Sequence, residues 1–548
     1  MQKISATAPV EFIPPREENP ILASFSEYDA HVRFAEKLYG EGRFAAAALE
    51  SAVAASVAAH RHCGIFASPR IEGVLTSIGR SIGDGKKDAE IAPRPNRIKS
   101  VLHVATQLAP VGGLTRMISR WVNADKSRTN SLVLTQHRGP IPDHTNEAFH
   151  SSGGQIFKLN HSPGGKLEWA LALRNLARKF DAVVLHFHCE DVVPIIAFAN
   201  PETMPPVILL NHADHIFWLG PSISQVVVSL REAAADIAIG RRGVEPRRSI
   251  VMPTIVDPTV REKSRQDAKK ILGIDSDCVL ILSVARGVKY RTIGGVTFAD
   301  RHAKVLAENP KAKLLVIGVG NPDDWEPVKQ VYPGRLETLP EIELPRAYFE
   351  AADVYVDSYP FVSSTSMMEA AGYGLPLLTI FDAPKEARIF AINHVGLDGT
   401  AVVATTQSDY EEKLTRLIQD EPYRRKVAEA SHDAVESQHT PPGWLAFLEA
   451  VYQRAIDLPL PDPQTFIRRD DLETPQLGEP DRRHHDIVGS TFSTANITKG
   501  FMGMLPLRER YTLWRRLQRQ GHYGSNLSLK SFIPLVAPEW MKRCVLDR

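Results

Sequence analysis

From about residue 100 onward the sequence alternates short apolar runs with stretches of helical periodicity, and it does so twice in series. SVLHVAT, NSLVLTQ, DAVVLHFH, PPVILLN, QVVVSL, ADIAIG and RSIVMP form the first series. CVLILSV (278–284) opens the second. A helical pattern from Val296 to Glu308 follows, then AKLLVIGVG, GRLETLP, the helix LPRAYFEAA, DVYVD, LPLLTIF and GTAVVAT. Runs of this kind, separated by helical patterns, call for a parallel sheet covered by helices on both faces. At 548 residues the chain is too long for one core. The fold class is therefore α/β, with two doubly wound, Rossmann-like domains in tandem, joined near Pro253–Pro258.

The flanks have a different texture. Residues 27–84 are rich in Ala, and apolar positions recur at helical spacing around Gly40 and Gly42. Two helices joined by a tight turn are expected there. They resemble one tetratricopeptide unit without a second copy, hence a helical prefix packed on its neighbour. SIGDGKKDAEIAPRPNR (81–97) reads as a linker. TPPGWLAFLEAVYQRAID (440–457) reads as a helix closing the second domain, and PLPDPQTFIRRDDLETPQLGEPDRR as a further linker. The expected divisions are 1–95 (prefix and linker), 96–257 (first domain), 258–457 (second domain) and 458–548 (linker and basic helical tail).

A net charge of +1 provides no global field for nucleic acid. Cys63, Cys189, Cys278 and Cys544 lie too far apart for metal or redox motifs and suit free thiols in a reducing compartment. No run is long enough to span a bilayer, and the first residues lack a signal-peptide core. A cytoplasmic protein is expected. From Gly500 onward nine Lys/Arg stand against three Asp/Glu. LPLRERYTLWRRLQRQ mixes five arginines with Leu, Tyr and Trp at helical spacing. An anionic membrane surface, a phosphate-bearing lipid acceptor or the protein's own acidic surface would each suit it.

In open parallel sheets ligands bind beyond the carboxyl ends of the strands. After SVLHVAT, Gly112 and Gly113 precede a helical pattern, where backbone N–H groups can approach an anion. After CVLILSV, Arg286, Lys289 and Arg291 place three cations within six residues, which a diphosphate would balance. In VDSYPFVSSTSMMEAAGYGLPLLT (356–379), Asp357 closes a strand. Ser363, Ser364 and Thr365 then sit where a helix begins and offer hydroxyls and N–H groups to phosphate. Glu369, one turn further in, would repel phosphate but suits the vicinal hydroxyls of a ribose. In the first domain LLNHADHIFWLG presents His212, Asp214 and His215 after a strand, and LHFHCED presents His186 and His188. The spacing in NHADH is irregular for zinc, so no metal site is expected.

The tandem sheets, the Gly pair on the first and the Arg/Lys-then-Glu pattern on the second together resemble nucleotide-sugar glycosyltransferases of the GT-B fold. DAVVLHFHCED, AAGYGLPLLT and VMPTIVDP resemble segments of glycosyltransferase family 4. The likeness covers roughly residues 98–455. There are departures: the first of the two glutamates usual in family 4 falls at Phe361, and Thr254–Ile255 replaces the usual Asn-Gly. DSYPFVSSTSMMEA instead resembles the peptide O-linked N-acetylglucosamine transferase branch. The resemblance implies an active site in a cleft between the domains, with nucleotide on the second and acceptor on the first. It implies metal-independent hexosyl or N-acetylhexosaminyl transfer without a cofactor, with a UDP-sugar as the favoured donor. A glycan, lipid-linked or protein acceptor in bacterial-type polysaccharide, glycolipid or glycoprotein assembly is implied as well.

Under the same resemblance, Arg286 and Lys289 stabilise the leaving diphosphate, His188 faces the donor sugar, and His212 and Asp214 are acid–base candidates. Gly112, Gly113, Ser363, Ser364, Thr365 and Glu369 contact the nucleotide. A nucleotide-sugar epimerase of the same fold and a non-catalytic adaptor derived from a transferase remain open. A dinucleotide oxidoreductase would need Gly-x-Gly-x-x-Gly followed by an acid, which neither domain has.

Overall fold

The structure, a computed structural model, describes residues 19–83, 95–109, 112–489, 493–522 and 535–546. The first sheet contains β1 (Ser100–Ala105), β2 (Thr129–Leu134), β3 (Ile156–Lys158), β4 (Ala182–His186), β5 (Val207–Asn211), β6 (Val226–Ser229) and β7 (Ser249–Val251). Its order is β3-β2-β1-β4-β5-β6-β7, with every pairing parallel. The second contains β8 (Val279–Val284), β9 (Ala312–Ile317), β10 (Leu336–Leu339), β11 (Val354–Val356), β12 (Leu377–Ile380) and β13 (Val402–Ala404). Its order is β10-β9-β8-β11-β12-β13, again all parallel. The strand order therefore reverses between β1 and β4 in one sheet and between β8 and β11 in the other. Loops leaving these strands part to opposite sides there and open a crevice.

One strand reading changes, and one strand is added. ADIAIG lies in the helix Glu232–Arg242 and not in a strand. Its alanines favour helix, Glu232 occupies the first turn, and Gly243 ends it at φ 67°. The short edge strand β3 was not legible, because its three residues are all half-buried and carry no alternation that stands out.

The prefix has no separate core. Its helices Pro20–Gly40, Phe44–His60 and Pro69–Ser81 share one apolar cluster with the first domain, where Val57, Ile71 and Ile78 join Val193, Ile196 and Phe217. Glu72 fixes the join: its buried carboxylate accepts from the N–H groups of Gly220 (2.7 Å) and Ser222 (2.9 Å) and from the Ser222 hydroxyl.

The helix Pro441–Asp457 does not close the second domain, as its position in the chain suggests, but crosses back beneath the first sheet. Trp444, Leu448, Val451 and Tyr452 form its apolar stripe and pack with Val101, Val184 and Ile208. The indole N–H of Trp444 donates to the Pro253 carbonyl at 2.9 Å. The Pro- and charge-rich stretch after it is no loose linker either. Glu473 accepts from the Arg70 N–H (3.0 Å) and the Ser68 hydroxyl (2.7 Å) of the prefix. Asp481 pairs with His62 and Arg241 at 2.9 Å each. Arg483 donates to Tyr359 (2.6 Å) and pairs with Asp382 (2.9 Å) in the second domain. Its charges hold three parts of the molecule together, so their abundance marks contacts and not solvation.

The basic helix Leu507–Arg519 docks on the prefix. Leu513, Trp514 and Leu517 pack with Leu49 and Val53, and Arg43–Glu509 and Arg516–Glu50 flank the contact at 2.5 Å each. Of the expected uses of this helix, packing on the protein's own surface is the one observed. Among the described residues no helix is long and apolar enough to cross a membrane.

Candidate functional site

A cleft of about 460 Å³ lies between the carboxyl ends of the two sheets. Gly112, Gly113, His212, Asp214, Arg286, Lys289, Ser363, Ser364, Thr365 and Glu369 all line it. His188 does not. It stands 3.8 Å from Glu190, and its backbone N–H donates to Thr106 Oγ1 at 2.8 Å. His186 is fully buried, with its ring 2.9 Å from that of His103.

On the second-domain rim, β8 ends at Val284 and the chain turns at Gly287. A Cβ there would meet the Val319 carbonyl at 2.7 Å, so only glycine lets the two loops touch. Arg286 is exposed and forms no ion pair with a described residue. Lys289 is the opposite: its ammonium donates to the Val362 carbonyl at 2.7 Å and sits 4.6 Å from the centre of the Phe361 ring. Burial pushes its pKa down to about 8, although the carboxylate of Asp357 opposes the shift.

Asp357 shapes the next loop. Its Oδ1 accepts from the N–H groups of Ser358 and Ser363, both at 2.8 Å, while Oδ2 is buried without a hydrogen-bond partner. Burial raises its pKa. This pins the chain so that the helix Thr365–Gly372 starts at the cleft. The three hydroxyls ahead of it are not equivalent. Ser363 is buried, its hydroxyl 2.7 Å from that of Tyr355. Ser364 holds φ at +40°, unusual for a residue with a side chain, and its hydroxyl lies 3.1 Å from Nε2 of the buried His394. Thr365 faces the other domain: a Cβ on Gly113 would lie 3.4 Å from its Oγ1. The N-terminus of the helix Gly113–Ala124 thus meets the N-terminus of Thr365–Gly372. Two positive helix ends at one point favour an anion between them.

On the first-domain rim the loops after β5 and β6 are internally neutralised. Asp214 receives Arg231 through two hydrogen bonds, at 2.6 and 2.8 Å. Burial would raise its pKa, but the Arg231 guanidinium outweighs this and holds the carboxyl well below the usual range. Asp214 is therefore a fixed anion and not a proton acceptor. His212 is bound to the Phe187 carbonyl at 3.0 Å, and burial pushes its pKa down to about 4. His215 has the arrangement of a base: Nδ1 lies 3.3 Å from Asp214 and the ring lines the cleft, 4.3 Å from the ring of Phe361. Burial lowers its pKa, with Asp214 opposing. Among the described residues no three His, Cys, Asp or Glu side chains gather as metal ligands.

Among the cleft residues that escaped the sequence reading are two arginines. Arg116 and Arg120 of the helix Gly113–Ala124 both reach Glu369, Arg120 at 2.9 Å and Arg116 at 3.8 Å. Their signal was present, two arginines four apart just beyond the glycine pair, and hence on one helix face.

No protein-family profile matches the chain, and no curated protein matches its sequence. Solved structures match in fold. A glycosyltransferase from Rickettsia africae ESF-5 is similar at TM-score 0.50 and 11% identity, over 66% of this chain and 99% of that one. A Thermobaculum terrenum O-GlcNAc transferase mutant gives 0.49 and 16%, over 80% and 85%. Anabaena HepE in complex with UDP and glucose gives 0.49 and 14%, over 66% and 100%. With two facing parallel α/β domains and a cleft at their carboxyl edges, the chain has the GT-B fold.

Proposed function

We propose that the protein is a glycosyltransferase that moves a sugar from a nucleotide-diphosphate sugar to an acceptor hydroxyl. The observation that carries this reading is the meeting of two helix N-termini beside Arg286 and Lys289, cations that among the described residues have no carboxylate partner at hydrogen-bonding distance. Negative charge grows on the diphosphate as the sugar's C1–O bond breaks, and such a cradle stabilises it without a metal. Thr365 and Ser364 supply hydroxyls to the phosphates, Glu369 takes the ribose, and a UDP-sugar is the favoured donor. The acceptor, a glycan, lipid-linked or protein hydroxyl, enters along the first-domain rim. There its proton passes to His215, which Asp214 orients, as the new bond to C1 forms. The Rickettsia africae protein that shares the fold is itself a glycosyltransferase.

The test is a thermal-shift screen with UDP-, GDP-, ADP- and dTDP-sugars, followed by transfer and hydrolysis assays with the best ligand. A ligand at 100 times its Kd stabilises by about 2.7 kcal/mol, so the nucleotide declares itself. A shift with no transfer, hydrolysis or epimerisation would favour the non-catalytic reading. No shift with any of the four would sink the donor site.

A further inference from the structure

We propose that Arg120 is a positioning residue for the nucleotide ribose, so that the donor site is completed by a side chain of the opposite domain. The inference rests on the assignment of Glu369 to the ribose. Glu369 belongs to the second domain, yet both of its ion pairs come from the first: Arg120 at 2.9 Å and Arg116 at 3.8 Å. Both fall on the same oxygen, Oε1. Oε2 takes no hydrogen bond from a described residue, and Glu369 lines the cleft.

An unrestrained glutamate samples several rotamers and loses that freedom when it binds two hydroxyls. Here the guanidinium takes one oxygen and orients the carboxylate, leaving the other for the ribose. Arg120 is itself fixed, since its Nε donates to Asp257 at 2.8 Å in the stretch joining the domains. Only 11% of its side chain is exposed. Burial disfavours its charge, but the carboxylates of Glu369 and Asp257 outweigh this and hold the guanidinium protonated. Arg116 contributes less to Glu369 and also donates to the Glu343 carbonyl, so it ties the same helix to another loop of the second domain. The ribose site therefore exists in full only when the cleft is closed to this distance.

The opposite reading is that Arg120 competes with the ribose for Glu369. Isothermal titration separates the two with UDP, GDP and ADP and their 2′-deoxy counterparts on the full chain. Positioning predicts that Arg120→Ala weakens the preferred ribonucleotide about tenfold, as expected for losing one charge-assisted contact. The deoxy form should change little, so ribose selectivity collapses. Arg120→Lys should recover part of it, and Arg120→Ala with Glu369→Gln should lose no more than Glu369→Gln alone. Tighter ribonucleotide binding by Arg120→Ala would overturn the proposal in favour of competition. Equal losses for ribo and deoxy forms, with a lower melting temperature, would overturn it in favour of a purely structural pair. If the parent binds no nucleoside diphosphate, the donor assignment falls and this inference with it. If the parent binds and Arg120→Ala binds alike, this inference alone falls.

Discussion

The two rims of the cleft carry comparable sets of charged and ring side chains, but they use them differently. On the first-domain rim the loops after β5 and β6 answer their groups from within: Asp214 by Arg231, His212 by the Phe187 carbonyl, His215 by Asp214. On the second-domain rim Arg286 has no ion pair with a described residue, and among the described residues Lys289 is held by a carbonyl and an aromatic ring. A rim whose charges cancel is a scaffold that sets geometry. A rim whose positive charge is left over, at the start of a helix, is built to receive an anion. Under the proposed function this asymmetry gives the donor its binding energy on one side and the acceptor its orientation on the other.

The most severe way to break this contrast is to disturb the neutralised rim. Asp214→Ala strands the buried Arg231, and losing one member of a buried pair costs about 3–5 kcal/mol. Urea unfolding should show this loss in the absence of any ligand. Replacing both partners with apolar residues should cost less than the single change, because no charge is left buried alone. A stable Asp214→Ala protein that has lost only activity would give Asp214 a chemical role and blur the contrast.

The next largest effect falls on the other rim. Lys289→Ala removes a half-buried cation at no great loss of packing, so the fold should tolerate it. Binding of a nucleoside diphosphate should weaken by about 1.5–3 kcal/mol while the bare nucleoside binds as before. Isothermal titration with both ligands reads the difference directly. Equal losses would make Lys289 a structural residue and leave Arg286 as the only cation of the receiving rim.

How much of this could be read from the sequence follows the same asymmetry. The second rim was legible because its residues are consecutive: strand DVYVD, loop, hydroxyls, helix and Glu369 follow in order, and strand CVLILSV leads straight to Arg286 and Lys289. Their surplus charge was visible as local composition. The first rim was not, since Arg231 lies in the loop after β6 and neutralises Asp214 from the loop after β5. Nothing in the linear order announces that pair, and without it Asp214 reads as a base. His188 failed for the same reason, because which loop residue reaches the cleft depends on how the loops part at the β1/β4 reversal. The Rossmann-like order survived because it rests on periodicity, a local property. The closing helix and the strap around 470–489 were misplaced because apolar stripes and charges indicate that a segment packs but not against what.

The smallest effect, and the sharpest test of which rim receives the anion, is a pH profile. Burial brings the Lys289 pKa down to about 8, within easy experimental reach. A bound diphosphate stabilises the ammonium, so the pKa rises in the complex. By linkage, affinity is full while the free protein carries a protonated Lys289, below about pH 8. It then falls as the pH rises, until the higher pKa of the complex is passed. The limiting slope is about tenfold per pH unit, or about 1.4 kcal/mol. The nucleoside should show no such fall, and neither should Lys289→Arg, whose guanidinium stays charged throughout. His212 and His215 both have pKa values pushed below the ordinary histidine range, so neither titrates in this window. A diphosphate affinity that stays level from pH 7 to 9.5 in the parent would mean that Lys289 does not face the phosphates. The receiving rim would then have to be redrawn around Arg286 and the helix ends alone.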